Sequence, residues 1–464
     1  MSRRSLSRRD FVRAAGATAA LAVAAPTIIP SSALGNDKVA APSERITLGF
    51  IGIGKQASGH LASLTGRKDT QTLAVCDIHK LRREAAKETV DKKYQELERK
   101  ESKGCDAYID FHELLDRKDI QAVVIGTPDH WHTIPLIEAC KAGKDIYCEK
   151  PLTLTIHEAK TAIEAVRKHD RVFQTGSQQR SSGPFHMVVN AIHAGRLGKI
   201  KEVHVGVGVT SKPCDLPTQE ADPNVDFNVW LGQAPERGYN EVLCRKTLPN
   251  SYPFNPGWRD YREYSGGYIT DWGAHHFDIT QWALGMDGSG PDEILPPPET
   301  QKDGYGASFI YKKTPVGDDV VVTHVHEVYK GPKIVVSKDG KTTTRQETTE
   351  SNGITFIGEK GKIFVSRGYA ISDPEDILTP GDQPPLKQVE HRENWLDCIR
   401  SRQRPICDVA IGAGSVTVCH LVNLAYWHNK KLNWDPKTWE FPGDAEANAW
   451  RDRPRREKYQ LPEI

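Results

Sequence analysis

The sequence predicts an α/β first domain built on a doubly wound parallel sheet and a second, α+β domain with a largely antiparallel open sheet. A short, β-branched apolar strand runs into a glycine-rich turn at residue 52, and buried strands then alternate with helices as far as residue 176. Beyond residue 200 the strands alternate apolar and polar residues, as expected when one face of a sheet meets water. A chain of 464 residues accommodates both domains.

The first strand, 46–51, leads into a segment with the Gly-x-Gly-x-x-Ala form of the dinucleotide-binding fingerprint. Gly52 makes the tight turn, Gly54 lets backbone amides approach a pyrophosphate, and Ala57 permits close packing of the helix on the strand. A glycine-rich turn alone is weak evidence. Followed by alternating strands and helices, it predicts a Rossmann domain that binds NAD over residues 44–176.

The second strand, 72–76, ends in Asp77, which lies 23 residues after Gly54. An acid at this spacing accepts hydrogen bonds from the adenosine ribose and repels a 2′-phosphate, so we expect NAD in preference to NADP. The alternative is that Asp77 caps the next helix. One aspartate can do both, so this alternative stays open.

Two later strands, 122–125 and 145–148, flank a helix predicted at 133–142. In doubly wound sheets the strand ends meet at the cofactor crevice. Lys150 follows the second of these strands and is fixed by Pro151, so we expect it to point to the cofactor rather than to solvent. For an isolated Lys-Pro pair, an exposed lysine before a helix would be the better interpretation.

The second domain is assigned to residues 177–464 and includes a C-terminal helical region. Its insert at 211–264, which is rich in Pro, Asn, Asp and aromatic residues, predicts an elaborated loop around the site. Surface loops are expected at 291–301 and 372–386. Alternating strands are predicted at 201–209, 306–312, 320–328 and 354–365.

The segment 266–278, GGYITDWGAHHFD, holds the catalytic candidates of this domain. Asp271 and His275 are four residues apart and share a face of a helix. Histidine is suited to taking a proton near neutral pH, and a nearby Lys150 would stabilise a developing alkoxide. Together they predict oxidation of an alcohol by NAD. The alternative is a capping aspartate and a histidine packed in a core helix.

Composition and local pattern exclude two other kinds of site. Lys and Arg number 62 against 61 Asp and Glu, with no basic stripe interleaved with aromatics, so nucleic acid is not expected as a partner. His275, His276 and Asp278 are close in sequence and are residue types that bind metal ions, so they form a candidate metal-binding motif. Adjacent histidines point to different faces of a helix, however, and no metal site is predicted.

The N-terminal residues 1–35 predict an export signal and are kept out of the fold. Segment 7–13, SRRDFVR, is a twin-arginine signature, and the apolar stretch 14–25 is too short to span a bilayer permanently. We therefore expect a periplasmic or otherwise exported protein that uses the twin-arginine export machinery and has no stable membrane span. A merely basic N-terminal tail is the alternative.

In combination, these motifs resemble the glucose–fructose oxidoreductase, inositol dehydrogenase and rhizopine-catabolism (Gfo/Idh/MocA) family over about residues 46–435. The resemblance implies a Rossmann domain followed by an α/β domain whose open sheet often forms oligomer interfaces, so we expect a homo-oligomer. Besides the glycine turn and the Asp271–His275 pair, it is carried by TPD at 127–129 with His132, EKP at 149–151, AGRLG at 194–198 and NWLDCIR at 394–400.

The resemblance also implies roles for individual residues. Lys150 is expected to contact the substrate hydroxyl and the nicotinamide, His275 to be the acid/base, and Asp271 to orient substrate and histidine. Because the insert at 211–264 is longer than in simple inositol dehydrogenases, the identity of the substrate is not implied. Further cofactor contacts are expected from Thr127, Pro128, His132 and Glu149.

Two groups of residues are candidates for substrate contact. The first follows the last strand of the first domain, where the resemblance places such contacts, and a solvent-exposed loop is the alternative. The second lies in the insert and offers aromatic faces to a sugar, while packing inside the insert is the alternative. The first group is Gln178, Gln179 and Arg180, and the second is Trp258, Arg259 and Tyr264.

The leading functional hypothesis is an exported oxidoreductase that acts on a hydroxyl of a sugar, glycoside or cyclitol. Free NAD is scarce outside the cytoplasm, so we expect the cofactor to be tightly bound. The second hypothesis is a glycoside-cleaving enzyme that uses NAD as a catalytic cofactor through oxidation, elimination and reduction. The third, a sugar-binding protein without activity, would predict loss of Lys150 or His275, and both are present.

Overall fold

A parallel six-stranded sheet in the order β3-β2-β1-β4-β5-β6 forms the first domain and confirms the predicted doubly wound fold. The computed structural model describes residues 44–99, 103–248, 257–336, 343–378 and 389–464, so the predicted export signal lies outside the described residues. The strands are β1 Ile46–Ile51, β2 Thr70–Cys76, β3 Asp106–Tyr108, β4 Ala122–Ile125, β5 Asp145–Cys148 and β6 Phe173–Thr175.

The central strands of this sheet are covered on both faces. Every residue of β4 and of β5 is buried, which explains why these strands are continuous apolar runs rather than alternating ones. Their carboxyl ends lead directly into the segments at 126–132 and 149–151. The helices of this domain are Lys55–Thr65, Lys80–Glu96, Phe111–Leu115, Thr133–Lys141 and Ile156–Lys168.

An eight-stranded sheet in the order β15-β14-β13-β7-β10-β9-β8-β16 forms the second domain. Its pairs are antiparallel except for β7 with β10, which confirms a largely antiparallel sheet. A separate antiparallel hairpin, β11–β12, extends from it. The strands are β7 Ile200–Gly206, β8 Glu293–Leu295, β9 Ser308–Thr314, β10 Gly317–His324, β11 Tyr329–Val336, β12 Thr343–Glu350, β13 Gly353–Gly358, β14 Gly361–Ser366, β15 Tyr369–Asp373 and β16 Leu432–Asn433.

Two local predictions for this domain are wrong. The segment 354–365 is not one strand, because the chain reverses at residues 359 and 360 and β13 pairs with β14 across that turn. The expected loop at 291–301 contains β8, which joins the sheet edge through β9. The helices of the second half are Gly183–His193, Phe227–Leu231, Tyr268–Asp271, Gly273–Ala283, His391–Ser401, Val409–His428 and Ala445–Ala449.

The helix Val409–His428 belongs to the hydrophobic cores of both domains. Val409 and Val416 pack in the core of the parallel sheet, whereas Val422 and Ala425 pack in the core of the second sheet. By length and composition it is also the one described helix that could cross a membrane, but most of it is buried inside the protein. The C-terminal helical region, assigned from sequence to the second domain, therefore joins both.

Candidate functional site

The glycine turn after β1 opens a cavity of about 560 Å³, here called the cofactor cleft, at the carboxyl ends of the parallel strands. Gly52 has φ +80°, and a Cβ atom there would lie 2.6 Å from Cγ2 of Thr127, so only glycine fits. Gly54 precedes the first residue of the helix Lys55–Thr65, whose N-terminus lines the cleft. A helix N-terminus with an open backbone suits a pyrophosphate.

Ala57 and Gly126 bring that helix close to the next strand end. A Cβ atom on Gly126 would lie 2.6 Å from the Cβ of Ala57, so a larger residue at either position would push the helix away from the sheet. The third position of the fingerprint therefore needs a small side chain for packing. This is the role predicted for Ala57, although it does not line the cleft itself.

Asp77 lies at the end of β2 and lines the same cleft. Its two carboxylate oxygens accept hydrogen bonds from the backbone N–H groups of Ile53, at 2.7 Å, and His79, at 2.8 Å. The carboxylate thus ties the glycine turn to the second strand while facing the cleft. His79, rather than Asp77, is the residue that precedes the next helix. Two basic residues, Arg82 and Arg245, line this end of the cleft as well.

The segment after β4 contributes in two different ways. Thr127 and Pro128 line the cleft, as expected of cofactor contacts. His132 is buried and is not among the described residues that line it. The two ring nitrogens of His132 lie 2.9 Å from the carbonyl oxygen of Thr127 and 2.8 Å from that of Pro151. His132 therefore connects the two strand-end segments from behind the site.

Glu149 is a buried carboxylate at the base of the cleft. It accepts hydrogen bonds from His60 Nε2 at 2.7 Å and from Gln178 Nε2 at 3.0 Å. Burial opposes ionisation, but the hydrogen bond from His60 and the charge of Lys150 hold the pKa of Glu149 below its usual value. A Cβ atom on Gly176 would lie 2.6 Å from this carboxylate, so position 176 has no room for a side chain while Glu149 occupies this place.

Lys150 lies where the cofactor cleft meets a second cavity of about 540 Å³, here called the reaction cavity, and it lines both. Its Nζ donates to Asp271 Oδ1 at 2.5 Å, and Arg259 Nη1 lies 3.2 Å from Asp271 Oδ2. Burial raises the pKa of Asp271, but the charges of Lys150 and Arg259 outweigh it and hold that pKa below its usual value. Asp271 is therefore an ionised group that fixes two cations.

His275 lines the reaction cavity together with Lys150 and Asp271. Its Nδ1 is buried and has no hydrogen-bond partner in the described structure. Burial, and then the charges of Lys150 and Arg367, hold the pKa of His275 well below the usual value for histidine. The imidazole is therefore neutral at neutral pH and can accept a proton. The carboxylate of Asp271 contacts the two cations rather than this ring.

The structure brings some of the predicted substrate residues to these cavities and not others. Gln178 lines the reaction cavity, and Trp258 lines the cofactor cleft beside the guanidinium of Arg259. Arg180 lines neither cavity. Its buried guanidinium forms ion pairs with Asp278 and Asp287 and neutralises their charge. Tyr264 is buried in the aromatic cluster of the insert, against His130 and Trp230.

Several residues of the reaction cavity were not singled out by sequence reasoning. Arg367 follows β14 and lies over the ring of Trp272, 4.3 Å from its centroid. Gln179, unlike Arg367, was predicted as a candidate for substrate contact; it is buried and lines the cavity, and neither of its amide atoms is bonded to a described residue. Arg367 reaches the site only through strand pairing in the second sheet, and no local sequence signal marks it. Tyr268 and Phe185 complete the aromatic lining.

Segments from outside the first domain cover the cofactor cleft. The insert contributes Leu243 and Trp258, and the C-terminal segment contributes Tyr459 and Gln460. The C-terminal segment is anchored by an ion pair of 3.0 Å between Arg455 and Glu158, whose side chains are almost fully buried. The cleft therefore has walls from three parts of the chain.

The described residues contain no group of three or more His, Cys, Asp and Glu side chains that could hold a metal ion. His276 and Asp278, the two further residues of the candidate metal-binding motif, have other partners. His276 Nε2 lies 3.0 Å from Asn352 Oδ1, and Asp278 accepts from Arg180.

Comparison with known proteins assigns both domains. The first, over residues 46–177, matches the oxidoreductase family described as having an NAD-binding Rossmann fold, and the second, over residues 207–461, matches that family's C-terminal α/β domain. The second match alone covers more than half of the chain.

Individual relatives differ in what their names state. An α-N-acetylgalactosaminidase of Shewanella oneidensis is 28% identical over 211 residues, 42% of this chain and 44% of that protein. An inositol 2-dehydrogenase of Salmonella typhimurium is 33% identical over 158 residues, 34% of this chain and 44% of that protein. The chain thus matches less than half of the length of these curated relatives.

Solved structures show the same fold. The WlbA dehydrogenase of Bordetella pertussis, determined with NADH and UDP-GlcNAcA, superposes with a TM-score of 0.52 at 16% identity, over 84% of this chain and 98% of that one. At this identity the likeness concerns the fold alone.

Proposed function

The chain belongs to the Gfo/Idh/MocA oxidoreductase family, and on this premise we propose that it is an exported enzyme that transfers a hydride between NAD and a hydroxyl-bearing carbon of a sugar, glycoside or cyclitol. The observation that carries the proposal is the position of Lys150. It lines both the cofactor cleft and the reaction cavity, beside Asp271 and His275. A substrate hydroxyl in the reaction cavity would therefore lie next to the cofactor, an ammonium and a neutral imidazole.

The residues of the cleft fit a dinucleotide. Gly52 and Gly54 leave room for a pyrophosphate at a helix N-terminus, and Asp77 faces the cleft where an adenosine ribose would be bound. NAD, when bound, supplies the acceptor of the hydride at its nicotinamide ring. The carboxylate of Asp77 favours NAD over NADP, and a Kd for NADP as low as that for NAD would contradict this assignment.

Different side chains would accept the proton and stabilise the negative charge in this reaction. As the C–H bond gives up its electron pair as hydride, the neutral imidazole of His275 takes the hydroxyl proton and a carbonyl forms. The ammonium of Lys150 donates to the substrate oxygen while that oxygen carries negative charge. Asp271 holds Lys150 in place, at 2.5 Å. The reverse reaction uses the same groups in the opposite order.

The first experiment asks which cofactor and which hydroxyl are used. The protein is purified from its exported location without added nucleotide and denatured, and the released NAD(H) is measured by absorbance and mass. Polyols and glycosides are then screened for reduction of the cofactor. Near-stoichiometric nicotinamide that one of these compounds reduces supports the proposal. If neither the purified protein nor the protein supplied with NAD oxidises any polyol or glycoside, the proposal fails.

We also propose that NAD stays bound between turnovers. The support is the cover of the cleft by the insert and by the anchored C-terminal segment, where the ring of Tyr459 packs edge-on against Trp131 at 5.5 Å. Tyr459→Ala should therefore release NAD faster during dialysis. Trp450→Ala is the matched control, because Trp450 lies in the same C-terminal region but stacks on His428. Equal loss of NAD from both variants and the wild type would contradict this role.

Export rests on the sequence of residues 7–13 and is proposed on that ground alone. Replacing both Arg8 and Arg9 by Lys should leave the protein in the cytoplasm, as cell fractionation would show. A homo-oligomer assembled through the eight-stranded sheet is proposed from family membership. Light scattering of the purified protein tests it, and a monomeric mass at working concentration would contradict it.

The alternative is that the enzyme cleaves a glycoside and uses NAD as a catalytic cofactor. The α-N-acetylgalactosaminidase and two relatives named glycosyl hydrolase family 109 proteins favour it, at 25–28% identity over 207–211 residues. In such a reaction the ring carbon is oxidised, the adjacent C–H loses its proton, the aglycone leaves, water adds, and the hydride returns to the sugar. Release of an aglycone without net NADH would decide for this alternative.

A further inference from the structure

Arg367 is a cation of the reaction cavity for which the described structure provides no counter-ion. It lies directly after β14, lines the cavity and is exposed, so that its guanidinium is accessible to a ligand. No described residue forms a hydrogen bond or an ion pair with its guanidinium, which instead lies over the ring of Trp272 at 4.3 Å. Partial desolvation of the guanidinium lowers the pKa of Arg367, and the charge of Asp271 partly offsets that effect.

Positively charged side chains outnumber negatively charged ones around the reaction cavity. Lys150, Arg259 and Arg367 line it with a single carboxylate, Asp271, and both oxygens of that carboxylate already contact Lys150 and Arg259. His275 adds no charge while neutral. Glu149 is nearby, but its carboxylate faces His60 and Gln178 and does not line this cavity. An excess of positive charge around a concave site attracts an anion into it.

We infer that the substrate carries an oxyanion group, the carboxylate of a sugar acid or a sulfate ester, that pairs with Arg367. This inference rests on the proposed function, because it concerns the substrate of the same site. A guanidinium fork matches an oxyanion with two parallel hydrogen bonds, and stacking on Trp272 holds that fork in a defined plane. The neutral part of the sugar would then contact Gln179, whose buried amide offers an unused donor and acceptor.

The test compares acidic and neutral ligands of otherwise matched structure on the protein loaded with its cofactor. Suitable pairs are methyl glucuronide with methyl glucoside, methyl galacturonide with methyl galactoside, and 6-sulfated with unmodified N-acetylgalactosamine. Affinity is measured by calorimetry, and hydride transfer by the near-ultraviolet absorbance of reduced nicotinamide. The carboxylate and sulfate pairs distinguish the two sources of the oxyanion. Tight binding of at least one acidic ligand over its neutral partner is expected.

Arg367→Gln should weaken binding of the acidic ligand about 10- to 100-fold, the effect of losing a charge-assisted contact, and should leave the neutral partner nearly unchanged. Arg367→Lys should restore part of the preference, because it returns the charge without the fork. Arg404→Gln is the matched control, since Arg404 is exposed and does not line the cavity.

Equal affinity for acidic and neutral ligands in the wild-type protein would overturn the inference. So would an equal loss of both ligands in Arg367→Gln, which would indicate a merely structural role. If acidic ligands bind in an Arg367-dependent way but none reduces NAD, the proposed reaction fails while the inference about charge stands. If a neutral sugar is oxidised and acidic sugars have no advantage, the reaction stands and the inference fails.

Discussion

Two buried carboxylates, Asp271 and Asp278, lie seven residues apart in the chain. They differ in the number of cations that contact each of them. Asp271 alone faces two cations, Lys150 and Arg259, at the wall of an open cavity. Asp278 shares a single cation, Arg180, with Asp287, and these groups line none of the cavities described above. The first group, here called the open cluster, leaves positive charge available to a ligand. The second, here called the closed cluster, has no cation without a carboxylate partner.

The pKa values of the two carboxylates differ in the same sense. The cations next to Asp271 hold its pKa below the usual value despite burial, whereas burial raises the pKa of Asp278 more than Arg180 lowers it. Thus a buried ion pair by itself does not mark a functional site. The excess of one charge, and the access of that charge to a cavity, distinguish the site from the structural cluster.

The largest expected effect concerns the open cluster. His275→Ala should lower kcat by about 10²- to 10⁴-fold, the usual cost of losing a general base, because no other neutral imidazole lines the described reaction cavity. The measurement is the rate of cofactor reduction with the polyol or glycoside that the wild-type enzyme oxidises fastest. Bound NAD should be unchanged. A rate within about threefold of the wild type would remove His275 from the chemistry.

The closed cluster should respond in stability rather than in catalysis. Arg180→Met leaves Asp278 and Asp287 without their cation and should lower the free energy of unfolding by about 3–5 kcal/mol. Arg180→Lys should lose less, because the charge remains. Urea unfolding gives both values, with kcat per folded molecule as the second readout. If Arg180→Met keeps its stability and loses only substrate affinity, the contrast between the clusters is wrong.

The depressed pKa of His275 makes a prediction for the pH profile. An ordinary histidine base, with a pKa of about 6.5, would cause kcat/KM to fall tenfold per unit below that pH. Because burial and the charges of Lys150 and Arg367 favour the neutral ring, kcat/KM should stay flat through this region. An inflection near pH 6.5 in the wild-type profile that persists in variants at the other titrating residues would contradict this account.

The smallest effect is a difference in how stability depends on pH. The contribution of Asp271, whose folded pKa is depressed, is present above about pH 4 and is lost as the pH falls through the folded pKa. That of Asp278, whose folded pKa is raised, increases as the pH falls from neutral. Asp271→Asn and Asp278→Asn should therefore change the slope of unfolding free energy against pH in opposite directions. Slopes altered in the same direction would contradict the assignment.

Most of the first domain could be predicted from sequence because its buried strands are continuous apolar runs. The bounds of β1, β4 and β5 coincide with the predicted segments for this reason. Lys150 follows one such strand, so its place at the cleft was predictable. The hairpin β13–β14 was missed, since alternation of apolar residues continues across a turn and does not show where the chain reverses.

The environment of a charged side chain was much harder to predict. Arg367 directly follows β14 and Arg180 lies in the short turn after β6, yet only Arg367 reaches the reaction cavity. The difference depends on carboxylates that are distant in sequence, such as Asp278 for Arg180. Tyr264 likewise packs against Trp230 of the insert and against His130, which is distant in sequence, rather than lining a cavity. The roles of Lys150, Asp271 and His275 stay predictions, although the structure places all three around one cavity.

The helix Val409–His428 has a consequence for cooperativity. Its first turns are part of the core beneath the parallel sheet and its later turns are part of the other core, so neither core is complete without it. The two domains should therefore melt in a single calorimetric transition, and a nucleotide that binds only the first should raise the melting temperature of both. An exported protein that loads its cofactor before translocation would gain, from that one binding event, resistance to unfolding along its whole length.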